Sequence, residues 1–198
     1  PVSFWGFKDV GLSRAQMSAL VREMKDAGKQ VALEVVTFDD DELISSAQLA
    51  VEAGVDYFTG ARYSAEVRAI TAEAGIKYFP FCGDVSGSPI VLQGTEQSVV
   101  DDARRMLDEG ADGVDLVAYR YLEGDAEKLG AEMVAQVGAE RVIIAGSINS
   151  RERMERMQDM GAFAYTMGGA LFDGAFVPGG DVRANLERVV ELKAEIDG

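Results

Sequence analysis

The feature that most constrains the fold of this chain is a repeated junction, at which an amphipathic pattern ends in glycine and an apolar run begins at once. Glycine accepts the left-handed backbone that closes a helix, so each junction predicts a helix end followed by a strand. Strict alternation of helices and strands predicts parallel strands joined by right-handed crossovers. The junctions lie at Asp26–Gly28, Glu52–Gly54, Glu73–Gly75, Glu109–Ala111, Gln136–Gly138 and Met160–Ala162.

The apolar runs and the segments between them predict seven strands and seven helices. The strands are Ser3–Phe7, Gln30–Val36, Tyr57–Gly60, Tyr78–Phe81, Gly113–Ala118, Val142–Ala145 and Ala164–Met167. The helices are Ser13–Ala27, Asp40–Ala53, Ala65–Ala74, Glu96–Glu109, Ala126–Val137, Ser150–Met160 and Val182–Ile196. Several of them begin at a residue suited to capping, namely Ser13, Thr95, Asp125, Ser150 and Asp181.

The strand count leaves two α/β architectures open. A closed TIM-type β/α barrel has eight strands. In that fold Ser3–Phe7 would be the second strand, and the first would be absent from this chain. The alternative is an open doubly wound parallel sheet, which usually carries its glycine loop after the first strand. We favour the barrel because the glycine-rich strand ends here are the last two. No linker interrupts the chain, so residues 1–198 are predicted to form a single domain.

Those two strand ends also predict a phosphate site. Gly146 and Ser147 follow one apolar run, and Gly168 and Gly169 follow the next. Bare backbone N–H groups and helix N-termini at neighbouring strand ends attract an anion. In β/α barrels a phosphate binds at the loops after the last two strands. Two further candidates for ligand binding are Ser88, in the long segment 82–95, and Arg120.

Four charged residues at or near the carboxyl ends of strands are the candidates for catalysis, and these are Lys8, Asp9, Glu34 and Asp115. A charge inside an apolar strand is costly unless it is paired, so a purely structural ion network is an equally weighted interpretation. Without histidine, proton transfer would fall to the carboxylates, with Lys8 stabilising developing negative charge. Alternatively, Lys8 could form a Schiff base with a carbonyl substrate.

Composition narrows the function classes. The chain has no histidine, which removes the commonest general base and argues for a metal-independent site. The net charge of −15 argues against nucleic-acid binding. No apolar run is long enough to cross a membrane. The single cysteine, Cys82, fits a cytoplasmic protein. We expect a small phosphorylated ligand, no resident cofactor, and a chain able to form a homo-oligomer.

The segments Ile144–Ile148 and Met167–Phe172 resemble the phosphate loops of the ribulose-phosphate-binding (β/α)8 barrels. That superfamily includes isomerases of histidine and tryptophan biosynthesis, pentose-phosphate epimerase and related decarboxylases. The resemblance covers the last third of the chain in detail and the rest by architecture. It implies that Gly146, Ser147, Gly168 and Gly169 bind a substrate phosphate. FMN-binding barrels use similar loops, so FMN is a second, less favoured occupant.

The resemblance does not extend to any one reaction. The histidine metal site of the epimerases has no counterpart here, nor has the aspartate–lysine–aspartate cluster of the decarboxylases. The sequence therefore predicts an isomerase, epimerase or lyase of a small phosphorylated carbonyl compound. The alternatives are an aldolase that uses Lys8 and a barrel that senses a phosphorylated metabolite without turnover.

Overall fold

The computed structural model describes residues 2–198, and their contacts divide them into two compact units. The N-terminal unit consists of Val2–Gly83 and Asp101–Asp115. The C-terminal unit consists of Asp84–Val100 and Leu116–Gly198. The single-domain organisation of residues 1–198 stays a prediction, and the two units are described in turn.

The N-terminal unit is built on a four-stranded parallel sheet with the strand order β1-β2-β3-β4. Its elements are β1 (Phe4–Lys8), α1 (Arg14–Asp26), β2 (Gln30–Val35), α2 (Asp40–Ala53), β3 (Tyr57–Gly60), α3 (Ala65–Ala74) and β4 (Lys77–Phe79). One face of the sheet packs under the helices, where Leu33, Phe58 and Tyr78 are buried among apolar side chains of α1, α2 and α3. The opposite face carries Lys8, Glu34 and Thr59, which are neighbours in the strand register.

The C-terminal unit contains a short antiparallel hairpin and the strands that end the sequence. The hairpin strands are β5 (Asp84–Ser86) and β6 (Val91–Gln93). A second sheet has the order β7-β8-β9, with β8 and β9 parallel. The chain returns to this unit within β7 (Val114–Leu116). The elements that follow are α5 (Ala126–Val137), β8 (Val142–Ile144), α6 (Arg151–Met160), β9 (Ala164–Tyr165), α7 (Gly169–Phe172) and α8 (Val182–Asp197). The chain passes between the units within α4 (Glu96–Asp108) and within β7.

Local sequence signals explain where the helices begin and end. Ser13 forms a full capping box with Gln16 at the start of α1. The side chains of Asp125, Ser150 and Asp181 accept backbone N–H groups at the starts of α5, α6 and α8. Three helices end on a left-handed glycine, as the junction pattern predicts, at Gly54, Gly75 and Gly161. Each of the side-chain N-caps contributes about 1 kcal/mol to helix stability.

The structure confirms all seven predicted strands and all seven predicted helices, with ends shifted by a few residues. Two features were missed. The segment predicted as a long loop around Ser88 folds into the β5–β6 hairpin, and a four-residue helix, α7, follows β9. Both are too short for their hydrophobic periodicity to be read from the sequence. None of the helices within residues 2–198 is long and apolar enough to span a membrane.

Candidate functional site

The face of the N-terminal sheet that is turned away from the helices holds an ion pair at the carboxyl ends of β1 and β2. Lys8 and Glu34 are direct neighbours in the strand register. The Lys8 Nζ atom lies 3.3 Å from the Glu34 Oε1 atom, and the two side chains are 48% and 24% exposed. An ion pair this accessible to water contributes little to stability. Its position at the strand ends, on the face turned away from the helices, leaves it free to meet a ligand.

Asp115 lies on the same face but in a very different environment. It bridges to Phe81, which is two residues past Phe79, and Phe79 pairs with Thr59, the register neighbour of Glu34. The residue is only 1% exposed, and its Oδ1 atom has no hydrogen-bond partner within residues 2–198. Burial raises the pKa of the Asp115 carboxyl well above its ordinary value; the negative charge of Glu34 raises it further and Lys8 opposes both.

Asp9, the fourth candidate for catalysis, is tied into the backbone. Its Oδ1 atom accepts a hydrogen bond from the Val36 N–H group at 3.2 Å, and its Oδ2 atom accepts one from the Ser46 hydroxyl at 2.9 Å. These bonds join the end of β1 to the loop after β2 and to α2. The arrangement holds the rim of the sheet in place. The structure therefore brings Lys8, Glu34 and Asp115 together and gives the Asp9 carboxylate separate partners.

In the C-terminal unit, the loop after β8 has an unusual backbone. Gly146 has a φ of 85°, and Ser147 follows with a φ of 58° although it is not glycine. A Cβ atom at Gly146 would lie 3.0 Å from Val117 Cγ1 and 3.4 Å from Arg120 Cδ. Left-handed backbone costs a residue with a side chain roughly 1–2 kcal/mol, so the surrounding structure must hold Ser147 in this conformation.

Two arginines provide that support, and both donate to Ser147. The Arg120 Nε atom donates to the Ser147 hydroxyl at 3.3 Å, and its Nη1 atom donates to the Ile90 carbonyl oxygen at 3.4 Å. Arg153 donates to the Ser147 carbonyl oxygen and, at 3.2 Å, to Asn149 Oδ1. The Arg153 guanidinium also stacks on the ring of Tyr119, 4.3 Å from its centroid.

Within residues 2–198, these two arginines belong with Lys29 and Arg62 to the minority of cations that have no carboxylate partner. Most lysines and arginines of residues 2–198 pair with a carboxylate, but Arg120 and Arg153 bind only neutral oxygens. Two guanidinium groups without a counter-ion thus meet at one serine. The sequence pointed to Arg120 but missed Arg153. The signal was its position in the first turn of α6, where a side chain lies near the anion-attracting end of the helix.

The other predicted ligand residues are placed less tightly. The register pair Ile144 and Tyr165 sets the ends of β8 and β9 side by side, so the loops that begin at Gly146 and Gly168 leave the same edge of the sheet. Gly168 and Gly169 are exposed at the start of α7, with the Asp173 carboxylate beside Gly169. Ser88 is exposed in the hairpin turn, two residues before the Ile90 carbonyl that Arg120 reaches.

Within residues 2–198, no group of three or more histidine, cysteine, aspartate or glutamate side chains is arranged to hold a metal ion. The metal-independent and cofactor-free character of the site stays a prediction. The arrangement offers two kinds of chemistry. The N-terminal cluster can exchange a proton, and the C-terminal cluster can bind an anion.

Comparison with known proteins identifies the fold but no family. No protein-family model matches this chain. No curated protein sequence matches it either. Among solved structures, it is similar to orotidine 5'-phosphate decarboxylase from Pyrococcus horikoshii, with a TM-score of 0.69 and 12% sequence identity over 100% of this chain and 88% of that one. A structure named native KDPGal gives a TM-score of 0.66 at 14% identity, over 96% of this chain and 81% of that one.

A third similar structure is the glycerol uptake operon antiterminator regulatory protein from Listeria monocytogenes. Its TM-score is 0.60 at 16% identity, over 87% of this chain and 85% of that one. The chain spans only 48% to 65% of several other similar structures. These similar structures have the TIM-type barrel fold. The TIM-type β/α fold predicted from the sequence is thereby confirmed, whereas an eighth strand outside this chain stays a prediction.

Proposed function

We propose that this chain is a phosphate-binding barrel enzyme that acts on a small phosphorylated carbonyl compound by acid–base chemistry, as an isomerase, epimerase or lyase. The single observation that carries the proposal is the pair of arginines at Ser147. Arg120 and Arg153 keep no carboxylate partner in a chain whose net charge is −15. Cations left unpaired amid such an excess of carboxylates are suited to an anion from outside the chain.

A phosphate monoester fits this site better than a carboxylate does. Planar guanidinium groups bind phosphate oxygens through paired, charge-assisted hydrogen bonds. A phosphate has enough oxygens to accept from Arg120, Arg153 and backbone N–H groups at the same time. The site follows the penultimate strand of the sequence, where barrels of this fold class bind phosphate. Gly168 and Gly169 would extend it from the next strand, and Ser88 from the hairpin.

Proton transfer is assigned to Glu34, with the buried Asp115 beside it, Lys8 as the stabilising cation and Asp9 holding the rim. In TIM-type barrels the residues that carry catalysis come from the carboxyl ends of strands. Lys8 and Glu34 occupy such ends in β1 and β2. Removal of a proton beside a carbonyl group produces an enediolate, whose negative charge Lys8 would stabilise.

One similar structure supports the proposal without fixing the reaction. It is orotidine 5'-phosphate decarboxylase, whose name includes a phosphate compound. A Schiff-base aldolase through Lys8 is less well supported, because that reaction needs a free amine and Lys8 is paired with Glu34. A ligand-sensing barrel without turnover is the second candidate function, and the antiterminator regulatory protein is the observation that favours it.

Calorimetry with inorganic phosphate and with dihydroxyacetone phosphate tests the anion site. We expect both to bind the wild-type chain. Gly146→Asp, which sets a carboxylate against Arg120, should abolish binding, and Gly168→Asp should weaken it. Binding that survives both substitutions would overturn the phosphate assignment.

Turnover is tested separately, by following hydrogen–deuterium exchange at the carbon beside the carbonyl in a panel of phosphorylated aldoses and ketoses. Exchange that depends on Glu34 supports an enzyme. Tight binding without exchange in any member of the panel supports the sensor. A borohydride-trapped adduct on Lys8 would establish the aldolase instead.

A further inference from the structure

The inner cluster of the N-terminal unit contains one cation and two carboxyl groups. Lys8, Glu34 and Asp115 lie on the same face of the sheet. Lys8 is the last residue of β1, Glu34 the penultimate residue of β2 and Asp115 the middle residue of β7. The remaining positions of this face that lie between them hold Thr59, Phe79 and Phe81, none of which carries a charge. A further titratable group beside Asp115 is Cys82, whose Sγ lies 3.9 Å from the Asp115 carbonyl oxygen, and Asp102 in turn lies near Cys82.

Geometry assigns the single cation to Glu34. The Lys8 Nζ atom is 3.3 Å from Glu34 Oε1, and no lysine or arginine of residues 2–198 lies within 4.0 Å of the Asp115 carboxyl. Lys8 and Glu34 are partly exposed to water, whereas Asp115 is 1% exposed and its Oδ1 atom has no partner. An ionised carboxylate in that position would be buried without a paired cation and with one oxygen lacking any hydrogen bond, which is a costly state for the group.

We propose that Asp115 holds a proton at neutral pH, so that the three groups carry no net charge and Glu34 is the carboxylate that takes a proton from the ligand. This rests on the proposed function for the identity of the ligand, but not for the proton itself. Asp115 is then a positioning residue, which leaves the charge of Lys8 wholly to Glu34. The step balances within the cluster. A carbon–hydrogen bond beside the carbonyl breaks, and its proton bonds to a Glu34 oxygen. Its electron pair forms the enediolate, beside Lys8.

A neutral Asp115 also has a thermodynamic signature. Burial and the charge of Glu34 raise its pKa in the folded chain. Between the pKa of the unfolded chain and that of the folded chain, the folded state binds more protons than the unfolded state. The contribution of Asp115 to stability is therefore lost as pH rises through this window, which is opposite to the usual behaviour of a carboxylate in an ion pair.

The direct test is a carbon-13 NMR titration of aspartate-labelled protein, with the Asp115 signal assigned by its loss in Asp115→Asn. We expect a midpoint clearly above the value of about 3.9 for an unperturbed aspartate. A midpoint at or below that value would overturn the proposal. The titration is measured on the wild-type chain, and the variant serves only to assign the signal.

Urea unfolding provides the second test. Relative to wild type, Asp115→Asn should gain stability as the pH rises above about 3.9, the pKa of an unperturbed aspartate, because the amide cannot ionise. The matched control is Asp112→Asn, three residues earlier, whose carboxylate pairs with Lys77 and Arg68. It should be less stable throughout and show no such gain. A difference between wild type and Asp115→Asn that does not change with pH would count against the protonated state.

The two proposals can fail separately. If phosphate does not bind at Arg120 and Arg153 but the Asp115 midpoint is raised, the proposed function fails and the protonated state of Asp115 is still supported. If exchange is observed, Glu34→Gln should slow it by at least about 100-fold, while Asp115→Asn keeps most of the rate and shifts the pH profile. Exchange that is lost equally in both variants would show that Asp115 itself handles the proton.

Discussion

Two loops of this molecule, one in each unit, both begin with a pair of left-handed residues but have very different surroundings. The loop between β3 and α3 runs from Gly60 to Ser64, and the loop between β8 and α6 runs from Gly146 to Ser150. Each begins with a left-handed glycine and continues with a left-handed residue that is not glycine. Ala61 and Ser147 are the only such residues in the described chain. Each loop ends four residues later on a serine that caps the next helix.

The difference lies in what satisfies the polar groups of each loop. In the first loop Tyr78 does so: its hydroxyl accepts from the Ser64 N–H group at 3.1 Å and donates to the Arg62 carbonyl oxygen at 3.0 Å. Ala61 is fully buried, and its carbonyl oxygen accepts from the Phe81 N–H group. In the second loop Ser147 is partly exposed and receives hydrogen bonds from two arginines. Neutral groups of the protein satisfy the first loop, whereas the second loop holds the two arginines that we propose bind a ligand.

The comparison shows that a glycine at a strand end is not in itself a sign of function. Both loops satisfy the same need, which is to turn a strand into a helix within five residues. The chemistry is added by side chains from elsewhere in the fold. The largest contrast should therefore appear when the glycines themselves are changed.

Gly60→Ala should destabilise the chain far more than Gly146→Ala does. A Cβ atom at Gly60 would overlap the Val35 carbonyl oxygen, which is backbone and cannot move alone. At Gly146 it would meet the side chains of Val117 and Arg120, which can shift. We expect losses of about 3 kcal/mol or more and about 1–2 kcal/mol, respectively, in the free energy of unfolding in urea. Equal losses would show that the two loops are packed alike.

Arg153→Met should weaken phosphate binding by about 10- to 100-fold, because a hydrogen bond to a charged group contributes about 1.5–3 kcal/mol. Arg62→Met is the matched control. Arg62 lies in the first loop and also lacks a carboxylate partner, but its guanidinium stacks on the Phe38 ring. It should leave the affinity unchanged in the same calorimetric titration. An equal loss in the control would mean that phosphate responds to overall charge and not to a site.

Tyr78→Phe should cost about 1–3 kcal/mol of stability, because it leaves two backbone groups of the first loop unsatisfied. Thermal unfolding followed by circular dichroism measures this cost, and phosphate affinity should not change. A variant as stable as the wild type would show that water replaces the hydroxyl. The two loops would then differ less in their closure than the structure indicates.

The sequence predicted the order of elements well because the signals are local. Glycine C-caps, N-capping serines and aspartates, and short apolar runs each act within a few residues, and they placed every major strand and helix. The β5–β6 hairpin was missed because its strands are three residues long and carry no clear alternation. Its structure depends on pairing with residues outside the hairpin, as in the bridge between Leu92 and Tyr121.

The candidate site could be predicted only in part. Strand phase correctly grouped Lys8, Glu34 and Asp115 on one face, since side chains alternate along a strand. It could not show that Asp115 lacks a partner or that Asp9 is held by Val36 and Ser46, because those contacts depend on three-dimensional packing. Arg153 escaped for the same reason. Arg153 is a candidate because it has no carboxylate partner in the structure, and the lack of an ion pair cannot be read from a sequence.

The hydrogen bonds of Arg120 have one more consequence. At 3.3 Å and 3.4 Å they are longer than the usual range, and both acceptors are neutral oxygens. An arriving anion would therefore displace them at small cost, since charge-assisted bonds are about twice as strong. The Arg120 guanidinium thus makes only weak hydrogen bonds, to the Ser147 hydroxyl and to the Ile90 carbonyl oxygen of the hairpin. Ligand binding would then take this donor from the Ile90 carbonyl oxygen, while the bridge between Leu92 and Tyr121 still holds the β5–β6 hairpin in place.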